Sequence, residues 1–277
     1  MLTLGGKSMK HIKKLALLAI AISLASSVFA DSTSLEESDI YKELIEDGNP
    51  ADFREMRGDE LWHEKIAPNN ISLEDCDLGK GPGVIEGAYV ELPRYFSDVN
   101  KVMDLEQRLI FCRTTIQGLT YEKAVSIPFS KPGKKTSDIE ALVTYVTAAS
   151  KGMTMAVKLD HPMEKDAYEI GKKLFFYRAG SHDFGCVTCH ASSNKRIRLQ
   201  NLPNLMKKDD SQATYTTWPA YRLSQGEVRT MQHRIKSCLR QQRSPNPHYA
   251  SDAITALTMF MAKNAEDGIY NAPAIKR

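Results

Sequence analysis

The chain of 277 residues holds only five cysteines and two tryptophans. Its longest apolar run, Leu15–Leu24, is about half of the roughly 20 residues that a bilayer-spanning helix needs. So few cysteines exclude a disulfide-dense scaffold, and the single C-x-x-C leaves a four-thiolate zinc site without its other half. Basicity is also missing where a first count suggests it. The formal charge is +3, but Lys7, Lys10, Lys13 and Lys14 all lie in the first thirty residues, which carry no acid. The remainder has 33 Lys/Arg against 34 Asp/Glu, a net charge of −1, so nucleic acid is not an expected partner.

Those four lysines, the apolar run after them and the small residues of Val28-Phe29-Ala30 have the layout of a secretory signal peptide over residues 1–30. Met9 is an alternative start, and no membrane span is expected after the leader. The mature protein is expected in the periplasm, an oxidising compartment that suits disulfides.

Cys186-Val187-Thr188-Cys189-His190 is a C-x-x-C-H motif. Two thiols at this spacing form thioethers to the two vinyl groups of a haem while the adjacent imidazole ligates iron, so one covalent haem c is expected at Cys186, Cys189 and His190. The charge that remains is unevenly placed. Residues 31–60 hold eleven acids and three bases, and residues 191–243, just past the motif, hold eleven bases and three acids. An anion or an acidic partner is expected at that second segment.

The length suits two domains, and Gly and Pro punctuate 151–162. The expected fold is mainly α, two cytochrome c-like domains at 31–155 and 156–277, with helices over 166–176 and, capped by Ser251 and Asp252, 253–262. An internal repeat relates the halves. Ile139–Val146 matches Ile254–Met261, and Arg108–Cys112 matches Arg234–Cys238. The N-terminal domain has no C-x-x-C-H and is expected to lack haem. Its Cys76 and Cys112 are expected to form a disulfide, the alternative being two buried free thiols.

Cys238 then stands alone. The distal iron ligand is expected to be Cys238, because the repeat places Cys112 at the equivalent site and Arg234, Lys236, Arg240 and Arg243 surround it in sequence. Met231 is the main rival, His233 a weaker one, Met206 a further candidate by position; Met259 and Met261 read as core.

Tyr215–Arg222 and Arg234–Arg243, downstream of a haem motif and upstream of the last helix, resemble the SoxA family, the catalytic subunits of SoxAX cytochromes, over essentially the whole mature chain. Without a second C-x-x-C-H, the chain resembles the single-haem branch. The resemblance implies an L-cysteine S-thiosulfotransferase that joins thiosulfate oxidatively to a cysteine of the SoxYZ carrier, with a SoxX-type monohaem cytochrome c as heterodimer partner. It further implies His190 as proximal and Cys238 as distal ligand, the latter modified to a persulfide. Arg234 and Arg243 are the candidates for the substrate sulfonate, haem propionates being their alternative partner, and Lys236 and Arg240 for the carrier surface. The alternative functions are a thiosulfate dehydrogenase forming tetrathionate and a plain periplasmic electron-carrier cytochrome c.

Overall fold

The computed structural model describes residues 48–277 apart from 198 and 199. The expected leader and the start of the first domain lie outside the described residues. The helices are α1 Asp52–His63, α2 Leu105–Thr115, α3 Tyr121–Ala124, α4 Asp138–Ala148, α5 Pro162–Phe176, α6 Cys186–His190, α7 Lys208–Tyr215, α8 Met231–Gln241 and α9 Asp252–Asn264. Three small sheets accompany them: β1 Arg94–Phe96 with β2 Lys101–Met103, β3 Arg196–Ile197 with β4 Gln200–Asn201, and β5 Ala220–Arg222 between β6 Glu227–Arg229 and β7 Ala274–Lys276. No helix among the described residues is long and apolar enough to cross a membrane.

Helix starts follow local chemistry. Asp104, Ser137 and Thr230 sit in extended conformation at the caps of α2, α4 and α8, and their side-chain oxygens accept the N–H groups of Gln107, Glu140 and His233. The helix expected from 166 begins four residues earlier. His161 accepts from Met163 N–H, Glu164 accepts from His161 N–H, and Pro162 fits the first turn. Ser251 departs from expectation. It occupies the cap position of α9, but its hydroxyl makes no cap hydrogen bond, and Asp252 instead receives bonds from Lys101 and Gln107.

Two helix crossings organise the core, α1 over α4 and α5 over α9. Each depends on a glycine. A Cβ on Gly58 would press on Ala141 O and Tyr145 Cβ, and one on Gly171 would press on Ala256 O and Phe260 Cβ. Ala141 and Tyr145 occupy the places in α4 that Ala256 and Phe260 occupy in α9 when Ile139–Val146 is laid on Ile254–Met261.

The same parallel runs through the segments between. A cis Leu92–Pro93 bond leads into β1, antiparallel β2 follows, then a capped helix with Cys112 at its eighth position. A cis Trp218–Pro219 bond leads into β5, antiparallel β6 follows, then a capped helix with Cys238 at its eighth position. Cys76 and Cys112 are fully buried and disulfide-bonded.

Residues 50–277 pack as one unit. The segment near 155 is clamped on both sides, Ala156 N–H donating to Val90 O and Met155 N–H to Gly268 O. Buried acidic side chains of the first half take donors from the second. Gln232 donates to Asp104 at 2.6 Å, Tyr249 OH to Glu106 at 2.5 Å, and His233 Nδ1 lies 2.7 Å from Glu140. Arg54 and Glu227 pair at 2.6 Å. This network holds α8 against α2 and α4.

Candidate haem site

The C-x-x-C-H motif folds as the single-turn helix α6. Gly185 precedes it in extended backbone, its N–H donating to Thr188 Oγ1 at 3.1 Å. There is no room for a side chain at Gly185, because a Cβ there would meet Tyr177 O. His190 Nδ1 lies 2.9 Å from Pro203 O. That contact fixes the ring and leaves Nε2 as the nitrogen available for a metal, the arrangement expected of a ligating imidazole. Burial lowers the His190 pKa, Pro203 opposes this and the Arg234 charge adds to it. The Cys186 thiol is pushed up to about 11 by burial and by nearby Cys238 and Cys189.

His190 and Cys186 face a cavity of about 640 Å³ that Cys238 and Arg234 also line. Its volume lies in the range of cofactor and ligand sites. Apolar walls come from Phe175, Leu205, Trp218, Ile235 and Leu257. None of Cys186, Cys189 and Cys238 is tied up in a disulfide. A half-buried imidazole, a thiol pair on one helical turn and a facing third thiol fit a covalent haem between α6 and α8.

The expected ligands and rivals separate in space. Cys238 and Met231 both line the cavity, Met231 two turns earlier on α8. Met261 lines it too, whereas Met259 is fully buried and Met206 is exposed. His233 is engaged elsewhere, bonded to Glu140 and packed on Phe129 with ring centroids 4.1 Å apart. Arg234 is inside the cavity. Arg243 is not among its lining residues. It occupies the tight turn after α8 at φ 55°, its carbonyl against Gly180 in the loop that leads to α6. Lys236 lies 5.7 Å from the Phe129 ring centroid, on another side.

The sequence reading missed three cavity cations, Lys207 ahead of α7, Arg222 on β5 and Lys276 on β7. Arg222 lay within a quoted segment. Lys276 has no local signal, since only the pairing of the C-terminal strand with β5 brings it there.

The SoxA/TsdA cytochrome c domain model matches residues 57–155. The L-cysteine S-thiosulfotransferase subunit SoxA of Hydrogenophilus thermoluteolus is 43% identical over 273 residues, 96% of this chain and 99% of that protein. The chain belongs to the SoxA family. A second SoxA, from Hydrogenobacter thermophilus, is 34% identical over 82% of each chain. The crystal structure of SoxXA from P. pantotrophus aligns with a TM-score of 0.67 at 25% identity, over 83% of this chain and 79% of that one. The fold is thus the helical cytochrome c type of SoxA with a few small sheets. The domain-model match falls in the half that lacks C-x-x-C-H.

Proposed function

We propose that this SoxA-family protein is the catalytic subunit of a periplasmic L-cysteine S-thiosulfotransferase. The carrying observation is one cavity that unites the C-x-x-C-H helix with Cys238 and Arg234, in a chain 43% identical to a protein of that name. The carrier cysteine thiolate and the outer sulfur of thiosulfate form a new S–S bond, giving cysteine S-thiosulfonate. Two electrons leave, together with the thiol proton where the carrier starts protonated.

Cys186 and Cys189 would attach one covalent haem c, and His190 and Cys238 would hold its iron. When bound, it accepts and passes on electrons one at a time. Arg234 holds the substrate sulfonate from inside the cavity, a guanidinium fork matching oxyanion edges, and Arg243 assists from the turn after α8. Cys238 supplies a soft sulfur next to the substrate, and as a persulfide it exchanges sulfur as disulfides do.

The organisation proposed is a signal peptide at 1–30, a haem-less cytochrome c-like domain at 31–155 and a haem domain at 156–277. The matched glycine crossings, strand pairs and helical cysteine positions support the internal repeat. The first half spends on packing what the second directs at its cavity. Its Cys112 is tied to Cys76, and Arg108, the counterpart of Arg234, stacks 4.1 Å from the Phe96 centroid and pairs with Asp98 at 2.8 Å.

Two electrons and one haem require a further acceptor, and a SoxX-type monohaem cytochrome is proposed as the bound partner. Exposed Phe176, Tyr177 and Phe184, around the loop leading to α6, form the apolar surface suited to it. Lys236 and Arg240 are proposed to receive the SoxYZ carrier. The function is tested by incubating the haem-loaded complex with thiosulfate, carrier and an electron acceptor. A thiosulfonate-sized mass gain on the carrier cysteine is expected, and an unmodified carrier would reject the reading.

A further inference from the structure

Strands β5 and β7 run parallel, and Arg222 is the register partner of Lys276. Side chains of paired residues leave a sheet on the same face, so the two cations stand side by side. Both line the haem cavity, together with Arg234 from α8. Lys276 makes no ion pair among the described residues; its nearest ring is Trp218, with Nζ 6.0 Å from the centroid. Burial, then the charges of Arg222 and Arg234, lower the Lys276 pKa.

Among the described residues, the other charged or titratable groups facing this cavity are Lys207, Asp210 and Tyr215, with His190, Cys186 and Cys238 on its ligand side. Asp210, whose carboxylate also accepts Asn204 N–H at 2.9 Å, is a single acid against the four cations Lys207, Arg222, Arg234 and Lys276 on this lining. Like charges gathered on a partly buried wall are costly unless an anion joins them.

We propose that Arg222 and Lys276 form an oxyanion subsite of the cavity, one that brings the C-terminal strand into the haem site. The inference rests on the haem reading above. Two anions share the required chemistry, a haem propionate and the thiosulfate sulfonate. A planar guanidinium beside a mobile ammonium would clamp either one.

The test compares haem-loaded wild type with Lys276→Met and Lys276→Arg. One arm follows the midpoint potential from about pH 5 to 8, where a propionate that has lost its cation titrates. If the anion is the propionate, Lys276→Met adds a fall in potential with rising pH that Lys276→Arg does not show. The other arm measures KM and kcat for thiosulfate. If the anion is the sulfonate, Lys276→Met raises KM by about tenfold or more with kcat and potential unchanged, and Lys276→Arg restores most of it. Either result supports the subsite. A Lys276→Met protein matching wild type in both arms overturns it. Should Lys276→Met not accumulate, Arg222→Gln is read in the same two arms. A wild type that takes up no haem would defeat the haem reading itself, a result distinct from loaded wild type and variant behaving alike.

Discussion

Cys238 and Arg234 are one helical turn apart on α8 and face the same cavity. The thioethers proposed at Cys186 and Cys189 would hold the cofactor whichever residue binds iron from α8. Cys238→Ala is therefore expected to give soluble, haem-loaded protein with an altered absorption spectrum and no thiosulfate-dependent electron transfer. Wild-type activity in Cys238→Met would count against Cys238 as the iron ligand, and Met231 and Met261 are then the native rivals that line the cavity. Arg234→Ala should keep the spectrum and cost about 1.5–3 kcal/mol in kcat/KM for thiosulfate, the worth of a charge-assisted hydrogen bond. Arg243→Ala should cost less, because Arg243 does not line the cavity. Among buried acids, Glu106 is raised from 4.5 to about 8 by burial and then by Asp104. Its carboxyl stays protonated in the folded protein where the unfolded chain has released the proton. This group's contribution is full below pH 4.5 and is lost as pH rises to about 8. Thermal melts across that range should show less decline with pH for Glu106→Gln than for wild type.

At the scale of elements, the two helix crossings are the most exacting joints. Gly171→Ala would set a methyl against Ala256 O, and no side-chain rotation relieves a clash with backbone. A loss of about 1–3 kcal/mol or more is expected by thermal unfolding. Gly58→Ala should cost a similar amount through Ala141 O. The crossings were half legible. The apolar stripes of α4 and α9 announced two related helices, but a glycine within a helix says nothing of what crosses it. The start of α5 was misplaced because His161 serves as the cap, a role more common for Ser, Thr, Asp or Asn. Ser251 looked like a cap in sequence, yet the packing of α9 left its hydroxyl without a cap bond.

For the whole molecule, the disulfide closes the loop between Cys76 and Cys112, which are 36 positions apart. On the loop-entropy model it contributes about 3–4 kcal/mol. Replacing both cysteines by serine should lower unfolding stability by that order while leaving haem attachment at α6 intact. Non-reducing mass mapping of periplasmic protein should recover the linked peptides. Co-expression with a SoxX-type cytochrome should give one species in gel filtration at micromolar concentration. A stable interface of that kind buries roughly 1,200 Å² or more, and separate elution would reject the partner assignment.

Contiguous chemistry could be read from the chain alone. C-x-x-C-H depends on residues a few positions apart, whose geometry a single helical turn imposes directly. The proposed repeat also has its signal in the sequence, where matching apolar spacing sets Cys112 and Cys238 at equivalent positions. Spacing along the chain could not say which cations of the basic segment share a cavity. Tertiary structure separated Arg234 from Lys236 and Arg243, occupied His233 with Glu140, and brought Lys276 from the C-terminal strand beside Arg222. A cavity is walled by residues from distant elements, and strand pairing and helix crossing, which local sequence does not encode, decide which side chains face it.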